Sequence, residues 1–148
     1  MAQGPNSFIW YELMTTDQPA AEKFYSAVVG WEMMDAGQPG MRYTILSAGK
    51  RGVGGLMAIP AELKGSGVKP CWTGYIAVAD TDAAALRIAK AGGSIQRGPD
   101  DIPNVGRFAT VADPGGAIFL LLTPLPREQQ PWLASVWRKP REIRERPP

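Results

Sequence analysis

The chain contains one kind of segment twice, and this repeat limits the folds that it can adopt. Residues 8–30, FIWYELMTTDQPAAEKFYSAVVG, have the pattern of a strand, a turn and a helix. Residues 71–93, CWTGYIAVADTDAAALRIAKAGG, repeat that order. An ungapped offset of 63 residues aligns three pairs of positions: Asp17 with Asp80, Ala21 with Ala84, and Gly30 with Gly93. We therefore predict a duplicated unit rather than two unrelated stretches.

The first unit, residues 8–60, is predicted to contain one strand, one helix and three further strands. Phe8–Thr15 has the aromatic and β-branched content of a strand. Asp17 can cap the helix that follows, and Gly30 can end it in a left-handed conformation. The apolar helical stripe consists of Ala21, Phe24, Tyr25 and Val28. The further strands are predicted at Trp31–Asp35, Met41–Ser47 and Val53–Ile59.

The second unit, residues 71–124, is predicted to repeat this order after a Gly- and Pro-containing linker at residues 61–70. Its predicted elements are a strand at Trp72–Ala79, a helix at Thr81–Ala91, a short strand at Ser94–Arg97, a loop at Gly98–Gly106, and strands at Arg107–Ala112 and Ala117–Thr123. Residues 1–126 then form one domain. Residues 127–148 are predicted to be a tail with a short helix at Pro131–Trp137 and a disordered end.

Composition excludes several classes of function. The chain has no histidine, which is the commonest metal ligand and the commonest general base. A single cysteine, Cys71, excludes an internal disulfide and fits a reducing cytoplasm. The net charge is only +2, and the basic excess lies in residues 127–148, which argues against a nucleic-acid partner. No apolar run is long enough to cross a bilayer, and no secretion signal is visible, so we expect no membrane partner.

The order of these elements resembles the vicinal oxygen chelate superfamily, which includes glyoxalases, bleomycin-resistance proteins and extradiol dioxygenases. The resemblance rests on Trp10–Trp31, on Val53–Leu56, on Tyr75–Gly93, and on Gly106-Arg107 followed by Asp113-Pro114. The chain looks most similar to the uncharacterised, metal-poor glyoxalase-like branch. The resemblance implies an α+β fold in which two βαβββ modules form an open eight-stranded cup with two main helices outside it.

Metal-dependent members of that superfamily hold a divalent ion with four inward side chains. Carried over to this sequence, those positions are Trp10, Gly55 or Leu56, Thr73 and Leu120. Only Thr73 offers a donor atom, and a divalent cation needs several convergent oxygen or nitrogen donors. We therefore expect no metal and no other cofactor.

Glu12 is the candidate catalytic residue. It lies between Trp10 and Met14 on the predicted inward face, where an ionised carboxylate is costly to bury without a partner. One interpretation is a ligand-anchoring group or a general base with a raised pKa. The other is a salt bridge with Arg107, or a position at the wet rim of the cup.

The predicted ligand-binding residues form an apolar, aromatic pocket with few polar groups, as is usual for a small-molecule site. They are Trp10, Glu12, Met57, Thr73, Tyr75, Arg107 and Leu120. The favoured hypothesis is a metal-independent, cytoplasmic homodimer that binds a small aromatic or apolar molecule. An alternative is a lyase or isomerase with Glu12 as base and Arg107 as anion clamp. A third is an interaction module that docks through residues 131–137.

Overall fold

The two predicted units are both present in the computed structural model, which describes residues 5–37 and 39–126. The predicted tail lies outside the described residues. The first unit consists of β1 (Phe8–Thr15), α1 (Gln18–Val29), β2 (Glu32–Asp35), β3 (Tyr43–Ala48) and β4 (Arg51–Ala58). A single 3₁₀ turn, Ala61–Leu63, lies in the linker. The second unit consists of β5 (Cys71–Ala77), α2 (Thr81–Lys90), β6 (Ser94–Ile102), β7 (Gly106–Ala112) and β8 (Ile118–Pro124).

Both helices begin in the same way, because the aligned aspartates act as N-caps. The side chain of Asp17 accepts from the backbone amide of Ala20 at 3.0 Å, and that of Asp80 accepts from Ala83 at 3.0 Å. Each bond satisfies an amide that has no partner inside its helix. Gly30 then ends α1 with φ at +70°, as the sequence predicts.

All eight strands form one sheet, in the order β2-β3-β4-β1-β5-β8-β7-β6. Exchanging each strand of the first unit with its counterpart in the second gives the same order read from the opposite edge of the sheet. A pseudo-two-fold axis therefore passes between β1 and β5. Those two strands pair antiparallel within the one chain, while β1–β4 and β5–β8 pair parallel. The predicted α+β class, with an open eight-stranded sheet and two helices, is confirmed.

Strand alternation separates the core into an outer, helix-covered face and an inner face. Leu13, Leu46 and Leu56 pack against α1, and Ala109, Val111 and Leu121 pack against Ala84 of α2. Tyr75, Phe108, Leu120 and Leu122 point the opposite way and form a separate cluster. We call this side of the sheet the cup face. None of the helices among the described residues is long and apolar enough to cross a membrane.

Two predictions about local structure were wrong. The residues after Arg97 were expected to form a loop, but β6 continues to Ile102 with register shifts at Ile95–Arg97 and Arg97–Asp100. Such bulges let a strand absorb extra residues and keep pairing. The predicted apolar stripe of α1 is also only partly buried. Ala21 and Tyr25 pack against the core, while Phe24 and Val28 are 57% and 62% exposed.

Replacing the two cap residues tests the duplicated helix starts. Asp17→Ala and Asp80→Ala should each lower the free energy of unfolding by about 1 kcal/mol, because each leaves a first-turn amide without its acceptor. The effects should add, since the caps belong to different helices. Urea unfolding measures both. Asp17→Asn and Asp80→Asn keep an acceptor oxygen and serve as controls; equal losses for alanine and asparagine would contradict the capping role.

Candidate functional site

The cup face brings six of the seven predicted ligand-binding residues onto one surface. Strand pairing sets Trp10 opposite Tyr75, and Glu12 opposite both Thr73 of β5 and Gly55 of β4. The β5–β8 pair sets Tyr75 opposite Leu120, and the β1–β4 pair sets Met14 opposite Met57. Register partners carry their side chains on the same face of a sheet, so these residues surround the pseudo-two-fold axis.

The carboxylate of Glu12 is buried at this centre and is held by two tyrosines. The hydroxyls of Tyr43 and Tyr75 donate to Glu12 Oε2 at 2.9 and 3.0 Å. The indole Nε1 of Trp10 in turn donates to the Tyr43 hydroxyl at 2.9 Å. The four side chains therefore form one hydrogen-bonded network in which each donor is oriented by the next group.

The second oxygen of this carboxylate has a different environment. Among the described residues, neither tyrosine nor any other side chain is found donating to Glu12 Oε1. No fully buried polar side-chain atom in that part of the chain lacks a partner, so Oε1 must retain some contact with solvent. Glu12 as a whole is only 7% exposed. One oxygen is thus held by two tyrosines, and the other has no donor among the described residues.

Burial shifts the pKa values of the whole network. Desolvation raises the pKa of Glu12 above its ordinary value of 4.5, and the hydrogen bonds from Tyr43 and Tyr75 oppose this shift. Burial also raises the pKa of both tyrosines, and the neighbouring charge of Glu12 raises them further. The tyrosines therefore act as hydrogen-bond donors at neutral pH. Glu12 is poised to exchange a proton more readily than an exposed carboxylate.

Gly55 makes room for this arrangement. A Cβ atom at Gly55 would lie 1.8 Å from the Tyr43 hydroxyl oxygen and 2.2 Å from Cζ, so the tyrosine ring occupies the space above the glycine. Tyr43 was not among the predicted site residues, because its direction could not be inferred from β3 alone. The available signal was the glycine: a strand glycine often marks a close approach by another group.

The prediction for Arg107 was wrong. Its guanidinium pairs with Asp82 of α2, with Nη2 donating to Oδ1 at 2.9 Å, and with Asp101 of β6 at 3.2 Å. Arg107 lies on the helix-covered face of β7, since the next residue, Phe108, points to the cup face. It therefore neither pairs with Glu12 nor faces the cup. Glu12 is also not at a wet rim, so both structural explanations offered for this carboxylate are excluded.

The remaining predicted residues line the site to different extents. Thr73 is buried and makes a long 3.5 Å contact from its hydroxyl to the backbone oxygen of Glu12. Leu120 is buried in the cup-face cluster, against which Trp10 packs. Met57 is partly exposed and lies opposite Tyr43 across the β3–β4 pair.

The residues present do not fit a metal centre at the positions given by the resemblance. Trp10, Gly55 and Leu120 offer no metal-binding atom, and the alternative position Leu56 points to the helix-covered face. The described residues contain no group of three or more His, Cys, Asp or Glu that could hold an ion. Glu12 is the nearest anionic group, but its Oε2 is already held by two hydroxyls and the Tyr43 ring fills the space over Gly55.

A second concavity lies outside the cup, with a volume of about 490 Å³. It is lined by the outer-face aromatic residues Tyr11, Trp31 and Trp72, and also by Trp10 and Arg51. Trp72 donates to the Tyr25 hydroxyl at 3.0 Å and packs edge-on against Trp31. This groove could not be predicted from the sequence, because its residues come from three strands and from the connection between α1 and β2.

The family model of the Glyoxalase/Bleomycin resistance protein/Dioxygenase superfamily matches residues 7–121. The chain belongs to this superfamily. The resemblance drawn from the order of elements is therefore confirmed.

Two curated relatives are similar over most of the chain. CFP32 of Mycobacterium tuberculosis, named as a candidate glyoxylase, is 44% identical over 124 residues, which are 82% of this chain and 46% of the relative. The anthracycline biosynthesis protein DauV of a Streptomyces species is 30% identical over 146 residues, 91% of this chain and 48% of the relative. The chain thus spans about half the length of the curated relatives that it matches.

Solved structures share the fold at low identity. Methylmalonyl-CoA epimerase from Mycobacterium tuberculosis has a TM-score of 0.58 at 19% identity, covering 86% of this chain and 95% of that chain. Homoprotocatechuate 2,3-dioxygenase from B. fuscum has a TM-score of 0.56 at 17% identity, covering 82% of this chain and 34% of that chain. These likenesses support the fold alone.

The raised pKa of Glu12 predicts a particular dependence of stability on pH. Because the folded pKa exceeds the unfolded one, the folded state holds the proton more tightly in the interval between them, and the free energy of unfolding falls as pH rises through that interval. Glu12→Gln has no ionisable group at this position, so it removes this fall in the free energy of unfolding. The stability of the variant relative to the wild type should therefore increase as pH rises from about 4.5.

Urea unfolding at a series of pH values measures this difference. Glu62→Gln, in the exposed linker turn, is the matched control and should follow the wild-type profile in parallel. Glu12→Ala should destabilise the protein at every pH, by about 1–3 kcal/mol for each tyrosine hydroxyl left without an acceptor. Parallel profiles for the wild type and Glu12→Gln would contradict the raised pKa.

Proposed function

We propose that this protein binds a small, aromatic or apolar organic molecule at the cup face without a metal ion. The observation that carries the proposal is the divided role of the Glu12 carboxylate. Two tyrosines hold Oε2, while no described residue donates to Oε1. A ligand hydroxyl or N–H group can donate to Oε1 of the ionised carboxylate. When Glu12 is protonated, its own carboxyl O–H can instead donate to a ligand carbonyl.

The walls of the site support an aromatic ligand. Trp10, Phe108 and Leu120 offer flat or apolar surface around the polar network, a combination typical of small-molecule sites. The relative DauV is named for anthracycline biosynthesis, and anthracyclines contain a planar fused-ring system. The absence of a suitable donor set at the inherited metal positions supports independence from metal.

An enzymatic role for Glu12 is the second candidate. A buried carboxylate with a raised pKa and one open oxygen suits a general base of a lyase or isomerase. Such chemistry also needs a group that stabilises the negative charge left on the substrate. Arg107 cannot serve as that clamp, since it pairs with Asp82 and Asp101 on the other face. Binding without a reaction is therefore the better supported proposal.

Titration with 9,10-anthraquinone-2-carboxylate tests the binding proposal. In proton–nitrogen correlation spectra, the indole signal of Trp10 should shift on binding, whereas those of Trp31 and Trp72 in the outer groove should not. Prior treatment with a chelator should leave the affinity unchanged. Absence of binding at millimolar probe, a response that includes Trp31 and Trp72, or loss of binding after chelation would each overturn the proposal.

A carbon-acid probe separates the two candidates. If Glu12 is a catalytic base, wild-type protein should accelerate deuterium exchange at the acidic carbon of ethyl 2-methylacetoacetate, and Glu12→Gln should not. The binding proposal predicts equal exchange rates for both proteins.

We also propose that the protein forms a cytoplasmic homodimer through its outer aromatic face, defined as Phe8, Tyr11, Phe24 and Trp72. These four side chains are 41–57% exposed, and clustered exposed apolar side chains mark interaction surfaces. The curated relatives are about twice as long as this chain. A second copy would bring the assembly to about the length of those relatives. The free thiol of Cys71, which is exposed, is compatible with a reducing cytoplasm.

Sedimentation measures the assembly. The wild type should be a dimer, and Phe24→Asp should be monomeric, because the new carboxylate would be buried without a partner at the interface. Leu86→Asp is the matched control: Leu86 is 62% exposed on α2, outside the proposed surface, and this variant should remain dimeric. A monomeric wild type, or a dimeric Phe24→Asp variant, would contradict the proposal.

A further inference from the structure

Arg97 lies on the cup face, although the sequence analysis gave it no role. Strand pairing sets Arg97 opposite Thr110, Thr110 opposite Leu120, and Leu120 opposite Tyr75. Tyr75 is in turn opposite Trp10. This single row crosses the sheet from the edge strand β6 to the centre of the site, and residues in such a row share a face. Arg97 is therefore the outermost member of the row that contains the Glu12 network.

The bulge in β6 aims the Arg97 side chain over the cup. Gly98 follows it with φ at +82°, and a Cβ there would lie 3.0 Å from the backbone oxygen of Phe108, so the bend needs a glycine. The guanidinium carbon of Arg97 then lies 5.5 Å from the centroid of the Phe108 ring. This cation–π contact places the guanidinium beside a buried wall of the site, while Arg97 as a residue remains exposed.

Arg97 forms no ion pair with a carboxylate among residues 5–37 and 39–126. The other arginines with defined contacts are paired there, Arg107 with Asp82 and Asp101, and Arg42 with Glu22. Arg97 forms no such ion pair in that part of the chain. Its field nevertheless reaches the site: burial chiefly raises the pKa of Tyr75, and the Arg97 charge acts in the opposite direction. The position thus carries a cation beside Phe108 that forms no ion pair with a described carboxylate, and Asp100, the register partner of Phe108, lies on the same face.

We propose that Arg97 forms an anion-binding subsite of the cup, so that the ligand carries a carboxylate or a similar planar anionic group. A guanidinium can bind a carboxylate through two parallel hydrogen bonds, and no described residue forms an ion pair with Arg97 that would compete. The ligand then has two recognition points: an anionic group at Arg97 and a hydrogen-bonding group at Glu12. This inference rests on the proposed function and narrows its ligand class.

A pair of probes that differ only in charge tests the subsite. Wild-type protein should bind 9,10-anthraquinone-2-carboxylate about fivefold more tightly than 9,10-anthraquinone-2-carboxamide, the effect expected of one partly exposed charge pair. The preference should shrink as salt is added. Arg97→Gln should abolish the preference by weakening only the carboxylate, and Arg97→Lys should keep part of it.

Arg87→Gln is the control, because Arg87 is exposed on α2 and its loss changes the net charge equally. It should keep the wild-type preference. Equal binding of the two probes by the wild type, or an unchanged preference in Arg97→Gln, would overturn the subsite while leaving the proposed binding function intact. If neither probe binds the wild type at millimolar concentration, the proposed function and the subsite both fail.

Discussion

The architecture of the site depends on keeping one carboxylate out of water. Burying an ionised carboxylate costs several kcal/mol unless polar partners replace its hydration. Tyr43 and Tyr75 supply those partners on Oε2, and each reaches Glu12 from a different strand. Gly55 has no side chain because the Tyr43 ring needs its space, and Trp10 orients the Tyr43 hydroxyl. The identities of several surrounding residues thus follow from the presence of Glu12.

The same centre differs in its side chains from the metal-binding pattern that the resemblance implies. In the superfamily to which the chain belongs, the positions around this axis can carry metal-binding side chains. Here three of these positions are Trp10, Gly55 and Leu120, which offer no metal-binding atom. At the fourth, the hydroxyl of Thr73 contacts the backbone oxygen of Glu12. At two of these positions, Trp10 and Leu120 pack together in the cup-face cluster.

Much of the fold could be predicted from the sequence because its signals are local. Asp17, Asp80 and Gly30 mark helix ends through contacts within a few residues, and alternation along β1 correctly placed Trp10 and Glu12 inward. The site was harder to predict because its residues depend on register between distant strands. Arg107 was assigned to the cup face although Phe108 occupies it. Arg97 was missed because two bulges in β6 break the alternation that would have revealed its direction.

The pseudo-two-fold axis has a consequence for how this chemistry arose. Glu12 and Tyr75 are 63 residues apart, the same offset that relates the two units, so they are equivalent positions that meet across the axis. In an assembly of two identical units, that position would meet its own copy, acid against acid or phenol against phenol. A repelling pair of carboxylates would result in the first case, and no anion in the second. Joining the units in one chain lets the two copies diverge, one into an acceptor and the other into its donor.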